Sequence, residues 1–126
     1  MQEFHKPRRT WSQKFRDAFR GVALGVRRQH SFLVHLPFAA AVVLLAAALR
    51  LGLIEWCLLM LCIFTVLAAE MFNSALETLA KAIDTRFNPY LADGLNIASA
   101  AVLLSAAGAV IVGLLVFSWG LAERLQ

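Results

Sequence analysis

Three long apolar runs, separated by short polar breaks, dominate the chain. The first covers residues 31–50 and opens with SFLVHLPF; Pro37 falls in its first turns, where a missing amide is tolerated. The second covers 55–83 and the third 96–119, with Trp56 and Trp119 at positions suited to a membrane interface. Runs of this length predict three membrane-spanning helices. Residues 50–55 read as a tight turn, and 84–95 as a polar loop with Pro89 and Gly94 as breakers. Ahead of the first run, residues 10–30 place Trp11, Phe15, Phe19 and Val22 on one helical face. Lys14, Arg16, Asp17 and Arg20 take the other sides. That is the pattern of an amphipathic helix lying in a membrane interface. The expectation is one all-α integral membrane domain over residues 1–126: an interfacial helix followed by three spans.

One stretch breaks the apolar pattern of the second run. Residues 56–69 carry no charge, and then Glu70, Asn73, Ser74 and Glu77 arrive at offsets i, i+3, i+4 and i+7. On a helix these share a face, with the two carboxylates about 10 Å apart along the axis. Glu70 lies about 22 Å beyond Glu55 and Glu77 about 33 Å, so in a ~30 Å hydrocarbon layer Glu77 emerges at the far interface while Glu70 stays deeper. An ionisable group at that depth is costly and marks a functional site by default. A purely packing stripe would account for the amide and hydroxyl but does not need two carboxylates.

Composition strengthens the membrane reading, since 60% of the 126 residues are hydrophobic and only 16% charged, more apolar than a soluble domain of this size tolerates. Charge is unevenly placed. Lys6, Arg8, Arg9, Lys14, Arg16, Arg20, Arg27 and Arg28 all precede the first span. Nothing after this basic segment resembles a nucleic-acid module, so its expected partners are anionic lipid headgroups and not nucleic acid. The same bias puts the N-terminus in the cytoplasm. Three spans then place the 84–95 loop and Glu77 on the cytoplasmic side and the C-terminus outside. The first run stands behind about thirty patterned residues, and is expected to be retained and not cleaved as a signal. Cys57 and Cys62, five residues apart on one apolar helix, point in different directions and read as small apolar side chains.

No phosphate-binding glycine loop of the Walker type and no protein-kinase signature set is present. The stripe itself offers a deep carboxylate, able to take a proton from a lipid hydroxyl, and a boundary carboxylate suited to Mg²⁺. The octad E-x-x-N-S-A-x-E, on the second of three spans behind an amphipathic helix, resembles the prokaryotic diacylglycerol kinase and undecaprenol kinase family. The similarity runs without gaps from Phe15 to Leu104, through Gly21, Phe32, the octad and Ser99-Ala100-Ala101-Val102. Ser31-Phe32-Leu33-Val34-His35-Leu36 is similar to a pattern of the undecaprenol-kinase branch. The resemblance implies a homotrimer in the bacterial cytoplasmic (inner) membrane, using ATP and Mg²⁺ to phosphorylate a membrane lipid alcohol. It implies Glu70 as catalytic base and Asn73 as its orienting amide. Glu77 and Gln29 would bind the metal; Asp17, Glu77, Arg86, Asn88 and Asn96 would face the nucleotide. Ser31, Phe32, His35, Glu70 and Ser99 would face the lipid.

The chain departs from the family pattern at Gln29, where a second metal-binding glutamate is usual, and at Leu95-Asn96, usually a Lys-Asp pair. Lys81 also replaces a usual aspartate. Phosphoryl transfer works largely by positioning and charge neutralisation, so these changes imply weaker nucleotide–metal binding. Two other functions fit the residues: a family member without full catalysis that acts as a lipid-binding or partner protein, and a small ion channel or transporter using Glu70 and Glu77 as a relay. The orientation is directly testable. A C-terminal reporter that works only outside the cytoplasm is expected to be active, and activity from a cytoplasm-only reporter would reverse the topology.

Overall fold

The computed structural model describes residues 9–28 and 31–125. Within them the architecture is all-helical: α1 (Trp11–Arg28), α2 (Phe32–Ala48), α3 (Leu53–Ile83) and α4 (Pro89–Arg124). The start of α1 is set by a reciprocal cap. The Thr10 amide donates to Gln13 Oε1 at 2.9 Å, and the Gln13 amide donates to Thr10 Oγ1 at 3.4 Å. Two otherwise orphaned amides are thereby satisfied. Lys14 Nζ sits 4.4 Å from the centre of the Trp11 ring, a cation–π contact one turn along.

The α2–α3 turn closes as a Schellman motif. Leu51 N donates to Ala46 O at 3.1 Å and Arg50 N to Ala47 O at 3.0 Å. Arg50 takes the left-handed conformation, at φ 44°, that glycine usually fills. This aims Leu51 back into the helices, where it meets α4 at Gly120 so closely that a Cβ there would overlap Leu51 Cδ2.

The second connection differs from the expected 84–95 loop. Helix α4 begins at Pro89, leaving only 84–88 between α3 and α4. Asn88 caps it, accepting from Tyr90 N at 3.1 Å, and Pro89 occupies the first helical position, where its missing N–H costs nothing. Gly94, read from sequence as a breaker, lies inside the helix. The Asn-Pro pair starts a helix here; it does not interrupt one.

Helices α3 and α4 pack as a long antiparallel hairpin, with α2 against α3 and the end of α1 touching both α2 and α3. With 31 and 36 residues, α3 and α4 are long and apolar enough to cross a membrane. Helix α2 has 17 residues and extends about 25 Å, short of the ~30 Å hydrocarbon thickness. Leu33, Phe38, Phe64, Leu103, Ile111 and Leu115 are among many large apolar side chains left exposed. A monomeric soluble protein does not carry so much exposed apolar surface, which fits a hydrocarbon surrounding.

A small core of Ala46, Leu59 and Val116, flanked by Val42, Leu51, Trp56, Val112 and Phe117, joins the three long helices near the α2–α3 turn. The buried face of α3 continues from Leu59 through Val66 to Glu70 and Ser74. The core therefore fixes which way the polar stripe points. Leu59→Ala is expected to destabilise the fold by about 2 kcal/mol, near the low end for such truncations. Lipid is as apolar as leucine, so the packing defect rather than water transfer dominates. Unfolding in graded denaturing detergent measures it.

Candidate active site

Glu70 is 3% exposed, the most buried charged residue described. Its helix position comes from the α3 pattern, and its partners come from the first turn of α2. Ser31 Oγ donates to Glu70 Oε2 at 2.9 Å. His35 Nε2 lies 2.8 Å from Glu70 Oε1, a hydrogen bond in which the ring nitrogen carries the proton. Ser31 precedes α2 in the position where serine commonly caps a helix, yet its side chain makes no cap bond. Its hydroxyl is spent on the carboxylate instead. Phe32, between these two donors and 1% exposed, wedges this end of α2 into the protein. Its ring lies beside Gly25 of α1, where an added Cβ would also press on the Met71 side chain of α3.

The next turn of α3 holds a second polar pair. Asn73 Nδ2 donates to Glu77 Oε1 at 3.0 Å, while Asn73 Oδ1 is buried without a hydrogen-bond partner. Ser74 Oγ donates back to the Glu70 carbonyl at 2.8 Å and Thr78 Oγ1 to the Ser74 carbonyl at 2.9 Å. These hydroxyls therefore serve the helix backbone and not a ligand. Among the described residues no three His, Cys, Asp or Glu side chains converge as a metal cluster.

The structure thus brings Ser31, Phe32, His35 and Glu70 together, with Asn73 and Glu77 one and two turns farther along α3. The other expected residues are engaged locally. Asp17 pairs with Arg9 at 2.5 Å, Arg86 with Asp84 at 3.4 Å, and Asn88 caps α4. Ser99 Oγ donates to its own helix at Leu95 O, 3.0 Å away, and Asn96 is exposed. Gln29 lies outside the described residues. The sequence resemblance places Ser31 and His35 only against the lipid; the structure adds their contacts with Glu70. Their spacing was the available signal, since polar groups four residues apart at the head of an apolar helix share a face and need partners.

An open groove of about 460 Å³ runs from this cluster between α2, α3 and α4. Phe38, Val66, Leu67, Ala106 and Val110 are among its walls, and His35 lies on its lining. The arrangement joins a buried, oriented carboxylate to an apolar channel, with a second carboxylate–amide pair nearer the helix end. A hydrocarbon-bearing alcohol in the channel would come up beside the first carboxylate, and the second pair presents hard oxygen atoms suited to a cation.

Comparison with known proteins agrees with this chemistry. The family model for prokaryotic diacylglycerol kinase matches residues 16–117. Undecaprenol kinase of Bacillus subtilis (strain 168) is 30% identical over 105 residues, covering 83% of this chain and 85% of that protein. No solved structure gives a significant match.

The geometry makes Ser31 a measurable support of Glu70. Ser31→Ala is expected to cost about 1–3 kcal/mol, the range for a hydrogen bond whose loss leaves a charged or buried group underserved. Ser31→Thr, which keeps the hydroxyl, should retain most of it. Detergent-denaturation midpoints of the two variants decide.

Proposed function

The chain belongs to the prokaryotic diacylglycerol kinase family and is a lipid kinase, and from that premise we propose that it transfers the γ-phosphate of ATP to the hydroxyl of a membrane lipid alcohol. Diacylglycerol and undecaprenol, named by the family and by the Bacillus subtilis relative, are the two acceptors to compare. The observation that carries this reading is Glu70. A carboxylate 3% exposed on a membrane-type helix, gripped by two donors from a neighbouring helix, is a group held for proton chemistry.

Glu77 and Asn73 are assigned to the phosphate side of the site. The donor set fits Mg²⁺: one carboxylate and a buried amide oxygen without a partner, both hard oxygen donors. Mg²⁺ commonly uses one or two carboxylates and leaves its other positions to phosphate oxygens and water. Bound there, the ion would neutralise charge building on the transferred phosphoryl group. Gln29 is assigned as a further oxygen donor, and Asp17, Arg86, Asn88 and Asn96 to the nucleotide. Ser99 is assigned to the lipid side.

The assembly read from the family is a homotrimer in the bacterial cytoplasmic membrane, with the N-terminus cytoplasmic. In it α2, α3 and α4 span, and α1 lies in the interface with its basic residues toward anionic headgroups. Exposure of Trp11, Phe15, Phe19 and Val22 supports that position for α1, because these side chains have no protein cover in a single chain.

The test uses purified full-length protein in mixed micelles with labelled ATP, Mg²⁺ and each lipid alcohol in turn. Phosphorylated lipid is expected, together with a loss of about 10² to 10⁴ in turnover for Glu70→Gln, the usual contribution of a general base. ATP affinity should persist in that variant, since Glu77 and the polar loop are untouched. A Glu70→Gln protein working at the wild-type rate would sink the assignment.

A further inference from the structure

Four charged residues at the far end of the bundle take no part in the site described above. Arg50 and Glu55 stand at the α2–α3 turn, while Glu123 and Arg124 close α4. Together with Leu51, Gly52 and Gly120 they line a small open pocket of about 130 Å³. At 1.5 Å per residue the pocket lies about 33 Å along α3 from Glu77, at the opposite end of a membrane-length helix. We propose that this pocket binds the headgroup of a zwitterionic phospholipid that carries a primary amine. The guanidiniums take its phosphate and the carboxylates its ammonium. The site is separate from the kinase chemistry and requires only that the chain lie in a membrane.

Charge selects the class of ligand. The two guanidiniums and two carboxylates cancel, so a plain anion meets the carboxylates and a metal cation meets the guanidiniums. A group bearing both charges satisfies both sets through charge-assisted hydrogen bonds. The four side chains also leave one another unpaired. Elsewhere in the chain opposite charges that come near pair directly, as Arg9 does with Asp17 and Arg86 with Asp84. Among the described residues, Arg50, Glu55, Glu123 and Arg124 enter no ion pair. The space between them equals the share of about four waters, room for the polar end of a lipid but not for its chains.

The backbone gives the pocket its shape and its depth. Arg50 turns the chain at φ 44°, and Leu51 packs beneath it against Gly120. Gly52 lets Glu55 fold back over it, since a Cβ there would lie 2.7 Å from Glu55 Oε2. The carboxylate is thereby kept at the pocket. Trp56 follows Glu55 in α3, and Trp119, 63% exposed, precedes Gly120 in α4. Tryptophan on both helices at this level marks a headgroup layer, which favours a lipid over a soluble phosphate–amine compound. A primary ammonium offers three N–H donors to the carboxylates, whereas a quaternary one offers none. The pocket therefore favours ethanolamine-type over choline-type heads.

The test titrates purified full-length protein in nonionic detergent with short-chain phosphatidylethanolamine, phosphatidylcholine or phosphatidylglycerol, and counts bound lipid by native mass spectrometry. Phosphatidylethanolamine is expected to bind about tenfold tighter than either other lipid, as the loss of one charge-assisted hydrogen bond implies. Soluble phosphoethanolamine at equal concentration should not displace it. Arg50→Gln combined with Arg124→Gln should abolish the preference. Glu55→Gln combined with Glu123→Gln should bring phosphatidylethanolamine down to the level of phosphatidylcholine. Each variant is compared at wild-type elution in lipid-free detergent. Arg124→Gln and Glu123→Gln alone, in the exposed last turns of α4, serve where a double variant does not fold, and each should weaken the preference. Equal binding of the three lipids overturns the proposal, and so does a preference that survives in the folded variants. Tighter phosphatidylglycerol that is lost with the arginines makes the pocket a plain anion site and also overturns it. Displacement by soluble phosphoethanolamine overturns the lipid assignment. A change of oligomeric state in the variants, with lipid preference intact, gives these charges to contacts between copies and overturns it as well.

Discussion

Burying one carboxylate between α2 and α3 is the constraint to which the rest of the molecule answers. In hydrocarbon an unpaired ionised side chain is too costly to keep, so Glu70 requires donors fixed at its own depth. Those donors, Ser31 and His35, stand one turn apart on α2 and close on opposite oxygens. Hydroxyl and imidazole therefore act as an interhelical clamp. Breaking a buried pair from one side leaves an uncompensated group behind, which makes the α2–α3 register hard to change once this contact is made.

That register is enforced from both ends of α2. At one end the Schellman turn folds Leu51 back over Ala46 and against α4. At the other, Phe32 is fully enclosed beside Gly25 of α1 and Met71 of α3. Met71 follows Glu70 directly in sequence, so α1 docks on the same turn of α3 that holds the carboxylate. Gly25 lacks the Cβ that would push Met71 aside, which allows this close approach. Any tilt of α1 is thus felt at Phe32 and Met71, the neighbours of both halves of the clamp.

Much of this is legible in the local sequence pattern. The all-helical class, the long second and third apolar helices and the polar stripe from Glu70 to Glu77 are consequences of periodicity and hydrophobicity, which a sequence displays directly. Helix α4 shows the limit. Asn88-Pro89 reads equally as a loop or as a cap followed by a first helical residue, and only the fold of the following residues decides between them. The partners of Glu70 were hidden for another reason. Ser31 and His35 lie 39 and 35 residues away from it, and pairing across that distance is a property of helix packing and not of any local motif. The left-handed Arg50 is similar, since no glycine announces the turn it makes.

The two carboxylates of the stripe have different companions, and that difference divides the work of the site. Glu70 is met by a hydroxyl and a ring nitrogen, one on each carboxylate oxygen, so both oxygens are engaged within the chain. Glu77 is met by the amide of Asn73, whose own oxygen remains buried and unpartnered. A buried acceptor without a donor is a standing cost of about 1–3 kcal/mol, and proteins keep such groups where a ligand completes them. A cation or a phosphate-borne water would complete this one. The apolar end of the stripe is thus satisfied within the chain, whereas Asn73 Oδ1 at its polar end is an acceptor that a ligand would complete. That asymmetry is what a site needs if a lipid hydroxyl enters through the groove at His35 while a charged phosphate donor arrives from the water side at Glu77.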